Sequence, residues 1–315
     1  VKRVHVVVGV LVNGAGELLI SRRDQAAHLG GFWEFPGGKV DAGETPLQAL
    51  ARELDEELGV TPLHMRPLIS LQHSYPDRHI QLEAFCIERF KGIPRGREGQ
   101  PLRWVRPEQL KDYPFPEANR ALNLALTLPP GYLITGPFAS RTQLLERLER
   151  ALERGLRLVQ WRAPWLDPHD YHALIAPLAE RCARAGARLL LKGEPSLLAH
   201  YPQCGLHLSA AQLSDEAVAL WAQGRDRQQL LGASCHDAAE LERAATLGVD
   251  FVTLSPVKPT RSHPGQAGLG WSASGALAEQ ATMPVYLLGG MAGADLERAR
   301  ALGGQGIAAI SAFWG

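Results

Sequence analysis

Charge of a single sign is missing from this 315-residue chain: 33 Lys and Arg balance 33 Asp and Glu, and the balance holds on either side of residue 128. A protein that tracks a phosphodiester backbone or an anionic bilayer carries a basic excess. Polymeric nucleic acid and a membrane are therefore not expected partners. No run of 18 apolar residues is present, the length that a spanning helix needs. The opening VKRVHVVVGVLVNG alternates like a strand rather than a signal peptide. Cysteine is scarce. Cys86, Cys182, Cys204 and Cys235 lack metal-ligand spacing and read as buried thiols of a reducing, cytoplasmic setting. Low-complexity segments and short repeats are missing too.

What is present is an ordinary globular composition, 45% hydrophobic and 21% charged, with length for about two domains. Leu128-Pro129-Pro130-Gly131 stops a helical pattern over 116–126 and precedes a new strand. The expected division is a first domain over 1–128, a linker over 129–131 and a second domain over 132–315. Strand patterns at 4–12, 17–21, 65–73, 79–90 and 102–105 surround one strong helix and predict an α+β domain with a mixed sheet.

That helix carries the main motif. Gly38, Glu44, Arg52, Glu53, Glu56, Glu57 and Gly59 fall at the spacing G-x5-E-x7-R-E-U-x-E-E-x-G-U, with Leu54 and Val60 at the apolar U positions. At ordinary residue frequencies the match arises by chance in roughly one chain per million. Thr45, Pro46 and Gln48 predict a capped start, and Gly59 a left-handed stop. Leu47, Leu50, Leu54 and Leu58 predict the buried stripe. Glu53, Glu56 and Glu57 then share a face near the negative end of the helix dipole, where each like-charge pair costs about 0.2–0.5 kcal/mol. A hard divalent cation, Mg2+ or Mn2+, reverses that penalty.

This pattern is identified as the Nudix box. With ISRRDQAAHLGGFWEFPGGKVDAGETP, YPDRHIQLEAF, GREGQPLRWV and FPEAN, residues 1–128 resemble the MutT-type branch, whose members hydrolyse oxidised purine triphosphates such as 8-oxo-dGTP. The resemblance implies an α/β/α sandwich. It implies that the Gly37 carbonyl, Glu53, Glu56, Glu57 and Glu98 hold metal, with Glu98 also base-like. Glu44 and Arg52 support that set. Arg23 contacts phosphates, His28, Phe35 and Asn119 build the base pocket, and the substrate is a nucleoside triphosphate. The residues alone leave other readings open: Asn119 as a helix cap, Arg23 paired with Asp24 or Glu34, Phe35 as core, and His28 and Glu98 as loop groups.

Beyond residue 131 strand and helix signals alternate. Strands are predicted at 132–135, 156–162, 188–192, 205–209, 230–235, 251–256, 285–289 and 306–311, with amphipathic helices at 142–154, 169–185, 238–247 and 294–302. Eight such units predict a (β/α)8 barrel lacking its last helix. The segments YLITG, LVQWR, GLHLS, LLGASCH, FVTLSPVKPTRSHPG, PVYLLGG and GIAAISAFWG resemble the thiamine-phosphate synthase and TenI family. Gln160 and Arg162 match its QxR. Ala163-Pro164, Lys192-Gly193 and Ala210-Ala211-Gln212 depart from its charged motifs, and His263 stands at its lysine position. These departures weigh against thiamine-phosphate synthase activity. Gly289, Gly290 and Ser311 are candidates for a small phosphate ligand, and His236 for a thiazole-tautomerase proton shuttle. A non-catalytic ligand-binding barrel is the open alternative. An apolar flank left by the missing helix would be covered by the first domain or in a homodimer.

Overall fold

The valine-rich start of the chain forms β1 (Lys2–Leu11), and its alternation decides the first layer arrangement. Val7 and Leu11 pack on one side with Leu50, Leu54 and Leu58, while Val8 and Val10 pack on the other with Leu122 and Ala125. The strand is therefore covered on both faces, by α1 (Pro46–Leu58) and α2 (Arg120–Thr127). The computed structural model describes residues 2–25, 30–74, 78–260 and 267–315, so His28 and His263 lie outside the described residues. It divides into two compact units, Val1–Thr127 and Leu128–Gly315.

In the first unit the remaining strands are β2 (Leu18–Arg22), β3 (Trp33–Glu34), β4 (Gly37–Lys39), β5 (Thr61–Ser74), β6 (Arg78–Lys91) and β7 (Leu102–Val105). One sheet has the order β4-β1-β6-β5 and is mixed: β1 runs parallel to β6, while β4 and β5 pair antiparallel. The other sheet, β3-β2-β7, is antiparallel. This is the Nudix sandwich with the expected mixed sheet.

Helix α1 follows its sequence closely. Thr45 accepts from Gln48 N, Gln48 returns a bond to Thr45 N, Pro46 opens the first turn, and Gly59 ends the helix at φ 70°. The expected stripe needs one correction. Leu50, Leu54 and Leu58 are fully buried, but Leu47 is 43% exposed. At about 100° per residue, Leu47 and Leu58 lie about 60° and 80° to the same side of Leu50, so Leu47 is on the stripe. Its exposure comes from its place in the first turn of the helix, at the edge of the buried cluster.

The second unit is a closed parallel barrel of eight strands: β8 (Gly131–Ile134), β9 (Leu158–Trp161), β10 (Arg188–Lys192), β11 (Gly205–Leu208), β12 (Leu231–Cys235), β13 (Phe251–Leu254), β14 (Val285–Leu288) and β15 (Gly306–Ala309). Closure comes from β15 pairing with β8, Ile307 opposite Gly131. Outward residues such as Val159, Trp161, Leu189, Leu191, Leu206, Leu208, Val252 and Leu254 join the core shared with the surrounding helices. Their neighbours in sequence point to the axis. There Tyr132, Phe251 and Tyr286 meet edge-to-face or tilted with centroids 5.3–5.5 Å apart, and the His207 ring lies 5.7 Å from that of Tyr132.

Two barrel expectations change. The helix predicted over 169–185 is two helices, Pro168–Ala173 and Ile175–Arg184. Pro177 lacks the N–H that would bond to Ala173, and its ring crowds that carbonyl. The last strand is followed by one helical turn, Ser311–Trp314. Trp314 is 3% exposed and donates to Pro137 O at 3.1 Å, so it covers part of the flank expected to be bare.

Candidate active site

The box converges on one guanidinium. Arg52 grips Glu44 with two parallel bonds, Nε to Oε1 and Nη2 to Oε2, both 2.9 Å. Its Nη1 donates to Glu53 at 2.9 Å and to Glu56 at 3.3 Å, and Nη2 also reaches Lys39 O at 3.1 Å. The fork geometry of arginine allows this where lysine would offer a single point of charge. The Arg52 guanidinium in turn holds the Glu44 carboxyl below its usual range, helped by a bond from Asp41 N. The pairing offsets much of the repulsion expected for carboxylates at a helix end.

Glu57 is left out of it. Its Oε2 accepts from Gly37 N at 3.2 Å. Burial pushes its carboxyl up to about 7; the Gly37 bond opposes this, and the charges of Glu53, Glu34 and Glu98 add to it. Burial likewise raises Glu34, which pairs with Arg23 at 3.1 Å. Close approach of β4 to α1 depends on Gly38, where a Cβ would lie 2.3 Å from the Glu53 carboxyl.

Glu98 sits at the exposed tip of a loop fastened to the end of α1. Arg97 N donates to Glu57 O (2.9 Å), Arg97 Nη1 to Asp55 O (2.7 Å), Gln100 Nε2 to Glu57 O (3.2 Å), and Arg95 N to Leu58 O (3.0 Å). These bonds satisfy the last carbonyls of the helix, and a cation there suits its dipole. The pairing of Arg23 with Glu34, which the sequence left open, is present. Sequence reasoning missed Arg97 and Gln100, which flank Glu98 in the quoted GREGQP segment; an acceptor count at the helix end would have flagged them.

The structure brings Glu44, Glu53 and Glu56 together on Arg52, midway along α1, and sets Glu57 beside Gly37. Glu98 lies near enough for its charge to act on Glu57 and Glu34. Glu53 and Glu56 lean towards Arg52, and among the described residues no three acidic or imidazole groups form a ready ligand shell. The donors are all oxygens of carboxylates and one carbonyl, a set that fits Mg2+ or Mn2+. Of the expected pocket residues, Phe35 is 3% exposed and stacks on Phe115, centroids 5.5 Å apart. Asn119 is half-buried and closes a short 3-10 turn that runs straight into α2.

In the barrel Gln160 is buried and donates to the Tyr132 hydroxyl at 3.2 Å. Arg162 stands at the end of β9, its backbone held by Thr135. His236 follows β12, is exposed, and bonds Glu240 at 2.8 Å. Gly289 and Gly290 adopt φ 104° and 64° after β14, and Ser311 begins the final turn.

Comparison with known proteins agrees with both units. The family described as Thiamine monophosphate synthase matches residues 131–313, and the NUDIX domain matches residues 7–124. The 8-oxo-dGTP diphosphatase of Escherichia coli K12 is 45% identical over 118 residues, 38% of this chain and 92% of that protein. The thiamine-phosphate synthase of Thermosynechococcus vestitus is 33% identical over 182 residues, 58% of this chain and 50% of that protein. A solved MutT structure, from work on the Aliivibrio salmonicida and Vibrio cholerae proteins, is 39% identical and covers 40% of this chain and 97% of its own, at a TM-score of 0.36. The chain thus belongs to two families in succession: it is a Nudix hydrolase over residues 7–124 and a member of the thiamine monophosphate synthase family over residues 131–313.

Proposed function

We propose that the first unit hydrolyses oxidised purine nucleoside triphosphates, 8-oxo-dGTP foremost, to the monophosphate and pyrophosphate, and so cleanses the nucleotide pool. The observation that carries this reading is the carboxylate array ordered by Arg52 on α1, with Glu57 left without a cationic partner among the described residues. The 45% identity to nearly the full length of a bacterial 8-oxo-dGTP diphosphatase supports the substrate class.

The residues that would hold Mg2+ or Mn2+ are Glu53, Glu56, Glu57, Glu98 and the Gly37 carbonyl. Bound there, the ion neutralises phosphate charge and lowers the pKa of water. Arg52 orients Glu53 and Glu56, and Glu44 keeps Arg52 in place. Glu98, exposed on its loop, takes the proton that water gives up as it attacks an internal phosphorus. Arg23 exchanges Glu34 for the phosphates. Asn119 offers one donor and one acceptor to the purine edge. An oxidised guanine carries a proton at N7 where guanine has a lone pair. A site built for that proton rejects dGTP by leaving buried groups unpaired.

The test is hydrolysis by the full chain with Mg2+, comparing 8-oxo-dGTP, dGTP and thiamine diphosphate. Turnover of 8-oxo-dGTP no faster than dGTP overturns the substrate assignment. The attached thiamine-family barrel favours a second reading, a hydrolase of thiamine-related pyrophosphates, and preference for thiamine diphosphate would establish it.

A further inference from the structure

The C-terminal mouth of the barrel holds a group that the hydrolase does not use. Lys192 ends β10 on the inward face, since Leu189 and Leu191 face the outer core. Its cross-strand partner is His207 of β11, also inward. The backbone of Lys192 is fixed at both ends by one hydroxyl: Tyr171 Oη accepts from Lys192 N at 3.0 Å and lies 2.9 Å from Lys192 O. Gln212 clasps the following segment, donating to Gly193 O at 3.1 Å and to Glu194 at 3.2 Å. The position of the lysine is thus set by packing rather than by a charge partner. Among the described residues its Nζ has no hydrogen-bond or ion-pair partner.

The neighbours are a cation and a neutral relay. Burial and the nearby charge of Arg162 bring the Lys192 ammonium down to about 7. Burial, with the Lys192 charge, holds the His207 imidazole well below its usual range, so the ring is neutral. His207 Nδ1 lies 3.0 Å from the Tyr132 hydroxyl and Nε2 lies 3.1 Å from Ser234 Oγ. A neutral ring has one N–H and one lone pair, so it can receive a proton on one side and release one on the other. A second observation points to a ligand. Thr253 Oγ1, inward on β13 beside Ser234, is fully buried and has no hydrogen-bond partner among the described residues. The C-terminal ends of barrel strands are where such folds bind substrates.

We propose that Lys192, beside His207 and Ser234, is an amine site in the barrel mouth that captures a small aldehyde or ketone bearing a phosphate as an imine. The free amine attacks the carbonyl carbon and the C=O electron pair moves to oxygen. A proton leaves nitrogen and one reaches that oxygen, by way of the Ser234–His207 pair. A second proton then reaches the hydroxyl, the nitrogen lone pair forms C=N as the oxygen departs as water, and the remaining N–H proton is given up to restore the relay. The sum is amine plus carbonyl giving imine plus water, with no oxidant or reductant. Arg162 supplies the fixed cation for the phosphate. An amine that is neutral near pH 7 next to another cation is suited to this chemistry.

The chain has six lysines, Lys2, Lys39, Lys91, Lys111, Lys192 and Lys258, so the site can be mapped directly. The full chain is treated with glyceraldehyde 3-phosphate or with glyceraldehyde, reduced with borohydride, and its peptides are weighed. Lys192 is expected to be labelled at least tenfold faster than any other lysine at pH 7.5, and faster by the phosphorylated aldehyde. Its labelling rate should be half-maximal near pH 7. Lys192→Arg, checked for an unchanged melting midpoint, should lose the adduct. Labelling of Lys192 no faster than Lys39, Lys91 and Lys111, or its absence with both aldehydes, overturns the proposal. Equal labelling by both aldehydes overturns the phosphate preference.

Discussion

Four acidic side chains of the same motif fall into different electrostatic classes because one arginine serves only some of them. Glu44, Glu53 and Glu56 each lie within 3.3 Å of Arg52. Glu57 receives one backbone N–H and is raised to about 7 from the usual 4.5, chiefly by burial. Between about pH 4.5 and 7 the folded state then binds more protons than the unfolded state. The stability from this group is fully present below the lower value and is lost as pH rises through about 7. The metal-free protein is accordingly expected to melt at lower temperature at pH 7.5 than at pH 5. Glu57→Gln should flatten that slope while reducing hydrolysis at least about 10²-fold. Melting curves and turnover across that range check it, and an unaltered slope in the variant would place the effect elsewhere. At this scale the sequence marked the carboxylates but could not separate them, because burial and the reach of Arg52 are tertiary properties.

At the scale of elements, α1 was legible from cap to cap: Thr45, Pro46, Gln48 and Gly59 each declare their role through local chemistry. The short strands β3 and β4 were not. Two or three residues give no measurable periodicity, and glycine has no strand preference of its own. Yet β4 is what brings Gly37 and Gly38 against the helix. A methyl group at Gly38 would stand 2.3 Å from the Glu53 carboxyl, the movable end of a side chain. Gly38→Ala is expected to keep the melting midpoint within a few degrees but to swing Glu53 out of position, lowering kcat about 10²-fold. Turnover assays beside thermal denaturation test this, and full activity would mean that Glu53 has room to spare. The loop bearing Glu98 teaches the converse lesson. Its motif was visible, but its attachment through Arg97 and Gln100 emerged only once the carbonyls at the end of α1 were traced.

On the scale of the whole molecule, each unit has its own core. Every member of the barrel core lies beyond residue 130, and the members of the two Nudix cores lie before residue 127. In the barrel a fully buried pair, Arg225 and Asp250, joins at 3.0 Å, and Asp250 also accepts from Leu231 N at 2.8 Å. Removing one member of such a pair strands the other, at a cost of about 3–5 kcal/mol. Asp250→Ala should therefore lower the barrel's unfolding transition and leave nucleotide hydrolysis unchanged in the cold. Calorimetry and assay of the same sample decide it, and a parallel loss of hydrolysis would refute the independence of the cores. The barrel was legible in outline because alternating strands and helices admit few architectures, whereas the break at Leu174 depended on a single proline.

The pairing of β15 with β8 has a temporal side. Every strand partner of the Nudix unit is made before the ribosome reaches residue 106, so that unit can finish folding early. The barrel cannot: β8 waits for Ile307 before its second edge is covered. At roughly 5–20 residues per second, that edge stays open for about 10–35 seconds in each round of synthesis. An open edge is a template for mispairing. The hydrolase unit is thus complete on every chain that gets past Thr127, and the barrel is the part whose yield depends on the speed of translation and on chaperones.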